Sequence, residues 1–428
     1  MSQIDSESKI SNNPEQATEN GIVSTITSRL PEIIHELESL NEHVEIETHN
    51  YSKVRTGWRS PNFLWETMYY QGGYRPGKPV QRTRFFLKTL PESEDPRLQA
   101  CTAQSLPRPV EREWEMHKLF RDCKSVPHAY HAQFLGNSII LEYAGDLTSE
   151  DKLVKLTNGK ATAIEENILK VIAKFNAYAL DKTTDALQNP ELRGWFEVKK
   201  PSLDQATRYF TEALLNSTGE TNPELVYEFA SRFPLILELY QQKPNQPIHF
   251  DLRRQNIVGP QNEEWTPETI KIVDLGSIAL GNGIDSVAQF LTSAGSKPDS
   301  RRWNSQLEFY MKNSAATKGV SGGKGIRFYI SECIKSKQVF YSAVLYESLK
   351  GLAKLGNLRR TSAPEHDDYG RLLEKRPVLA AHDSTMKKNN RICLEYVLRE
   401  SDELNLHEDE VREISDLMKV YQKAKLLE

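Results

Sequence analysis

The chain has 428 residues, room for two or three ordinary domains or for one large bilobal enzyme. With 55 basic against 59 acidic residues its net charge is -4, so no global field draws it to nucleic acid or to an anionic membrane. Hydrophobic residues make up 38% and charged residues 27%, which excludes disorder throughout, and no apolar run approaches the ~18 residues needed to span a bilayer.

In chain order, residues 1–20 are rich in Ser, Asn, Glu and Gln, lack the apolar stretch of a signal peptide, and are expected to form a disordered leader. From Ile22 to about Leu40, apolar residues at 26, 30, 33, 34, 37 and 40 predict a helix. Two strands, Phe63–Tyr70 and Arg84–Leu90, flank the turn chemistry of Gln71–Gly77 and predict a hairpin. A helix follows at Val110–Phe120, with Val110, Trp114, Met116, Leu119 and Phe120 able to share a face, and then a strand at Ser138–Tyr143. Residues 21–145 are therefore expected to fold as a small antiparallel sheet with one helix inserted. Residues 146–428 are expected to be mainly helical, with segments at 167–178, 224–233 and 339–352. A short strand, Ile270–Asp274, interrupts them and ends on a carboxylate. The fold class is α+β. Cys101, Cys123, Cys333 and Cys393 are far apart and form no C-x-x-C pair, which argues against a zinc site or a disulfide framework and fits a reducing cytoplasm.

The chemistry concentrates in His249-Phe-Asp-Leu-Arg-Arg-Gln-Asn256. Phosphoryl transfer needs a carboxylate that orients the acceptor hydroxyl, oxygen ligands for Mg²⁺ and a cation on the nucleotide phosphates. In this spacing Asp251 faces the acceptor and Asn256 supplies a metal oxygen. Downstream, Asp274-Leu-Gly276 places a second carboxylate at the end of a strand, with Gly276 expected to let the backbone turn away. Lys88, among Phe85, Phe86 and Leu87, is placed to reach the α- and β-phosphates, and the next helix offers Glu111, Glu113 and Glu115 as anionic partners. His249 reads as a brace for the loop rather than a proton shuttle, and Arg254 as a solvated side chain. Trp195 and Phe196 read as core. The run Gly319–Gly325 is one residue short of a phosphate loop, and Ala363-Pro-Glu365 lies too late to close a kinase activation segment.

These motifs resemble the aminoglycoside phosphotransferase family, itself similar in fold to protein kinases and choline kinases. The resemblance implies a bilobal protein kinase-like fold with a small sheet lobe and a large helical lobe. It makes Thr56-Gly-Trp-Arg-Ser-Pro-Asn62 a nucleotide loop in which Ser60 caps phosphates. It pairs Glu113 of Val110-Glu-Arg-Glu113 with Lys88, and makes Ile140–Gly145 a hinge where backbone groups of Glu142 to Ala144 meet adenine. Asp274 becomes a metal ligand, and Asp285 the start of the helix after it. The sequence departs from the family at Phe250, usually a small residue, and at Arg253-Arg254-Gln255, often His-Pro-Gly. Arg253 follows a protein-kinase habit in which the cation neutralises the transferring phosphoryl group. The expected activity is transfer of the γ-phosphate of ATP, with Mg²⁺, to a hydroxyl of a small molecule: an aminoglycoside-like antibiotic, a sugar, a nucleoside or an amino alcohol. A protein kinase and a nucleotide-binding pseudokinase scaffold are the alternatives, and the oligomeric state is not legible.

Overall fold

The computed structural model describes residues 14–54, 62–90, 109–130, 138–156, 158–199, 246–293, 300–314, 377–400 and 408–423, with isolated positions between 337 and 375. Ser60 and the rest of the expected nucleotide loop up to residue 61 lie outside them, as do residues 1–13, the expected helix at 224–233 and the motifs at 319–325 and 363–365. The chain divides into two compact units, Met1–Arg121 with Pro127–Tyr143, and Asp122–Val126 with Ala144–Glu428.

The first unit is a five-stranded antiparallel sheet in the order β1-β2-β3-β5-β4. Its strands are β1 (Val44–Val54), β2 (Asn62–Gln71), β3 (Gln81–Thr89), β4 (Ala129–Tyr130) and β5 (Ser138–Glu142). Strand periodicity sends alternate side chains to opposite faces. Phe63 and Trp65 of β2 and Phe85 and Leu87 of β3 share one face, where Ile26, Leu30 and Ile33 of helix α1 (Pro14–Leu37) cover them. Trp65 stacks on its cross-strand partner Phe85, ring centroids 5.7 Å apart. Phe86, Ile139 and Leu141 share a second apolar cluster with Val110 and Trp114 of helix α2 (Pro109–Leu119). Polar contacts pin α1 and the turn after it to the sheet: Tyr130 donates to Glu32 over 3.1 Å, and Thr83 donates to Glu38 just past the helix end. Burial, then the charge of Glu32, pushes the Tyr130 phenol up to about 12. Helix α1 begins at Pro14, so residues 14–20, expected to belong to a disordered leader, are helical.

The second unit holds two small antiparallel sheets. Strands β6 (Leu147–Thr148), β8 (Ile257–Gly259) and β9 (Lys271–Ile272) form one, and β7 (Gln246–His249) with β10 (Ile278–Gly281) the other. Among the described residues its helices are α3 (Ser149–Val154), α4 (Asn158–Asp181), α5 (Thr183–Gln188), α6 (Pro190–Lys199), α7 (Gly283–Thr292), α8 (Trp303–Asn313), α9 (Pro377–Arg399) and α10 (Glu408–Lys423). Helix α4 is the spine, burying Glu165, Ile168, Leu169, Ile172 and Asn176 at helical spacing. Asn176 donates to the Gly283 carbonyl (2.8 Å) and the Tyr310 hydroxyl (2.9 Å), and its own carbonyl accepts from Gln246 (2.9 Å). Through its side chain to α7 and α8 and its backbone carbonyl to β7, this one residue ties α4 to all three. A capping box starts α7: Asn282 accepts from Ile284 N–H, and Asp285 accepts from Asn282 N–H, both at 3.0 Å. Among the described residues no helix is long and apolar enough to cross a membrane.

At the entry to β6, Gly145 holds φ +146°, and a Cβ there would lie 2.5 Å from the carbonyl carbon and oxygen of Gly259. Gly77, at φ +83°, has nothing within 4 Å of such a Cβ. Gly145→Ala should therefore destabilise the protein by more than about 2 kcal/mol, and Gly77→Ala by about 1 kcal/mol. Urea unfolding followed by tryptophan fluorescence measures both. Equal losses would mean that the approach of Gly145 to Gly259 is not maintained in solution.

Candidate active site

In the first unit, the alternation of β3 puts Lys88 on the Phe86 side of the sheet, the side that α2 packs against. Lys88 Nζ lies 2.8 and 2.7 Å from the two carboxylate oxygens of Glu113. Their side chains are 17% and 1% exposed, so this is a buried pair, and loss of either partner would leave an uncompensated charge at a cost of about 3–5 kcal/mol. Glu115 is also buried and pairs with Lys118, so the glutamates of α2 are not a solvated face. One turn beyond Glu113, His117 is fully buried. Its pKa is pushed down to about 3, first by burial and then by the charge of Lys88, against the Pro127 carbonyl. A neutral ring makes the 3.9 Å approach of His117 to Glu113 no ion pair, and Lys88 is the cation set against that carboxylate.

At the end of β5, the Glu142 N–H donates to His128 O (2.8 Å) and the Tyr143 N–H to Arg84 O (3.3 Å). The Glu142 carboxylate accepts from His128 N–H at 2.9 Å. Of the three residues whose backbone groups are expected to meet adenine, two thus have their amides engaged within this unit, and the side chain of Glu142 fastens the end of β5 to His128 just before β4. The Ala144 amide, just beyond, follows them in the chain.

In the second unit, His249 closes β7 with its ring buried. Its Nε2 lies 2.8 Å from the Val273 carbonyl, and its Nδ1 accepts from Asp251 N–H at 3.3 Å. Only the neutral tautomer protonated at Nε2 satisfies both partners. The ring is a brace, as the sequence indicates. Asp251 and Arg253 sit on a tight turn in which Arg253 N–H donates to Asp251 O over 2.7 Å. The Arg253 guanidinium reaches back to Asp251, Nε to Oδ1 2.6 Å, with the two side chains 39% and 36% exposed. Arg253, expected to face a phosphoryl group, is in this structure the partner of the carboxylate itself.

Asn256 donates its amide nitrogen to Asp251 O (2.8 Å), which leaves its amide oxygen as the atom able to meet a cation. Its carbonyl accepts from Val273 N–H (3.0 Å), and Ile257 pairs with Ile272 across β8 and β9. Asp274 therefore follows directly on the segment registered against Asn256. The expected strand through Asp274 stops at Ile272. Asp274 itself adopts the left-handed conformation, φ 67° and ψ 51°, and leads into a single 3₁₀ turn at Leu275–Ser277. The bend expected of Gly276 is made by Asp274, at about 1–3 kcal/mol of backbone strain. Among the described residues no three His, Cys, Asp or Glu side chains gather into a metal site. One Asp and one Asn fit a Mg²⁺ held mainly by phosphate and water, since that ion takes few protein ligands.

The backbone after Asp251 is fastened by residues the motif does not reveal. Leu252 N–H donates to Gln289 Oε1 (2.8 Å), Arg254 N–H to Ser293 Oγ (3.1 Å), and Ser149 Oγ to Arg254 O (2.7 Å). Arg254 is not solvated. Its guanidinium is buried 3.0 Å from Glu165 and 5.3 Å from the Phe290 ring centroid. Burial lowers its pKa while Glu165 opposes that shift. A sequence signal existed for Glu165 and Gln289: each is a polar residue on an apolar stripe or run, Glu165 beside Ile168, Leu169 and Ile172, Gln289 between Ala288 and Phe290. Trp195 donates its indole N–H to Ile278 O (2.8 Å) and, with Phe196, is core.

No protein-family model matches the sequence. No curated protein matches it either. Solved structures of similar chain path include an ethanolamine kinase of Plasmodium vivax, at 14% identity and TM-score 0.42, over 74% of this chain and 82% of that one. The GDP complex of aminoglycoside 2'-phosphotransferase-IIIa is similar at 14% identity and TM-score 0.42, over 83% and 97%. A choline kinase from Streptococcus pneumoniae is similar at 13% and 0.39, over 84% and 99%. Likeness at this level says nothing of what this chain binds or acts upon.

His117 makes a pH prediction. Its folded pKa of about 3 lies below the ordinary 6.5, so below pH 6.5 the unfolded chain binds a proton that the folded chain refuses. Its contribution is complete above pH 6.5 and is lost as pH falls through the window toward 3. Between pH 6.5 and 5, the wild type should lose stability with a slope of order 1 kcal/mol per pH unit beyond that of His117→Leu. Chemical denaturation across that range measures the difference, and parallel slopes would mean that the ring is not buried as a neutral group.

Proposed function

We propose that the chain is a phosphotransferase that moves the γ-phosphate of ATP, with Mg²⁺, to a hydroxyl of a small molecule. The observation that carries this reading is the loop from His249 to Asn256. One buried ring binds the Asp251 amide and the carbonyl before Asp274, while the Asn256 amide holds the Asp251 carbonyl. A solvent-accessible carboxylate on a braced loop, next to two candidate metal ligands, is what phosphoryl transfer needs for positioning.

In this mechanism Asp251 orients the acceptor hydroxyl and accepts its proton as the oxygen attacks. Oδ1 faces Arg253, so Oδ2 is the atom offered to the hydroxyl. Arg253 spreads the negative charge at the reacting centre, either on Asp251 or on the incoming phosphoryl oxygens. Asn256 Oδ1 and Asp274 would hold Mg²⁺, which supplies charge neutralisation on the phosphates. Lys88, oriented by Glu113, would engage the α- and β-phosphates, and Ser60 with the Ala144 amide would contact the nucleotide. An aminoglycoside-like antibiotic, a sugar, a nucleoside or an amino alcohol is the class of acceptor. Arg253 beside Asp251 also keeps a protein hydroxyl as the second reading, since that cation two residues after the carboxylate is a protein-kinase habit.

Purified protein with Mg-ATP and a panel of hydroxylated metabolites and antibiotics should transfer labelled γ-phosphate. Asp251→Asn should lower kcat about 10³-fold with little change in KM for ATP. Lys88→Met should lower kcat and raise KM for ATP. Label on the chain itself or on added protein would favour the second reading. Absence of any transfer, with Asp251→Ala indistinguishable from wild type, would overturn both.

A further inference from the structure

Below the catalytic loop lies a buried charge cluster that the proposed chemistry does not use. Glu165 of α4 is 9% exposed in its side chain, and both of its oxygens are engaged. Oε1 takes Arg254 Nη2 at 3.0 Å. Oε2 takes Arg302 Nη2 at 3.1 Å and Gln306 Nε2 at 2.9 Å. One carboxylate therefore joins three elements: the loop at Arg254, the 3₁₀ turn Ser300–Arg302 and helix α8.

A buried ion pair is a poor device for stability, because desolvation offsets most of its attraction. What it supplies is placement. The Arg254 guanidinium is planar, cannot shed its proton, and is held between the carboxylate and the Phe290 ring. Its backbone is clamped on both sides, N–H to Ser293 and carbonyl from Ser149. The residue has one position, and it lies three residues after Asp251 in a turn closed by the Arg253 N–H on Asp251 O. A displacement of Arg254 is passed directly to the carboxylate.

Resting on the reading of Asp251 as the acceptor-facing carboxylate, we propose that Glu165 is a positioning residue, which sets the placement of Asp251 by holding Arg254 and locking it to Arg302 and Gln306. It touches neither nucleotide nor acceptor. Its effect is therefore expected in kcat and not in KM for ATP, because misplacement by about 1 Å of a reacting group lowers turnover about 100-fold.

The test is Mg-ATP hydrolysis by the full chain without an acceptor, which needs no knowledge of the hydroxyl substrate. The double variant Glu165→Met with Arg254→Met replaces the pair by apolar side chains, a change that buried ion pairs commonly tolerate in folding. It should stay folded, melting below wild type because Gln306 and Arg302 lose their carboxylate, and lose about 100-fold in kcat with KM for ATP unchanged. Glu165→Gln, which keeps shape and one acceptor oxygen, should lose about tenfold, and Arg254→Lys, which keeps the charge without the fork, should fall between them. If the double variant does not fold, Glu165→Gln decides. A folded variant with kcat within twofold of wild type, or with the change in KM instead, overturns the proposal alone. Where the wild type turns over ATP only with a hydroxyl acceptor from the panel, the same comparison is read in that transfer, and a wild type that neither hydrolyses ATP nor transfers γ-phosphate to any acceptor overturns the phosphotransferase reading and this proposal with it.

Discussion

The arrangement around Asp251 depends on one buried imidazole. His249 spends both ring nitrogens on backbone, Nε2 on Val273 O and Nδ1 on Asp251 N–H. Because Asp274 follows Val273, the same ring sets where the two carboxylate-bearing segments lie relative to each other. A protonated ring would put a donor against the Asp251 N–H and break that geometry. Phe250, sterically unlike the small residue of the resembling family, hangs its N–H on Ser277 O at 3.1 Å, so β7 and β10 continue the same registration. The loop at Asp251 and the turn at Asp274 are tied together by side chains at one end and by a ladder at the other.

Charge burial is the second theme, and in both units it is resolved by pairing. Glu113 is 1% exposed and takes Lys88 with both oxygens. Glu165 does the same with two arginines and a glutamine. Asp285 satisfies an amide at a helix start. In each case the carboxylate sits on an element whose neighbours are apolar, so the alternative to pairing would be an isolated charge in a poorly polarisable interior. The pair at the loop is exposed instead. Asp251 and Arg253 meet where solvent reaches them, as the proposed phosphoryl transfer requires of its carboxylate.

How far the sequence could be read follows the same physics. Motifs with fixed local spacing were legible: the loop from His249 to Asn256, the strand bearing Lys88, the helix bearing Glu113. So was the α+β class. Strand β1 was not, because it is an edge strand whose side chains, apart from Val44 and Ile46, are mostly exposed, and the apolar alternation that marks a half-buried strand is absent. The left-handed Asp274 was missed because Gly276, two residues on, offered a cheaper bend. Arg254 was misjudged because its partner is 89 positions upstream, and no local pattern reports a contact of that range.

The covering of the sheet by α1 has a practical corollary for anyone preparing shortened versions of the protein. Ile22, Val23, Ile26, Leu30 and Ile33 are the lid on Phe63, Trp65, Phe85 and Leu87. A chain begun after residue 37 would keep every residue of the proposed chemistry and still present a continuous greasy surface to water, an invitation to self-association. The amino-terminal helix, remote from Asp251 in sequence, is what keeps the lysine-bearing sheet soluble enough to be handled.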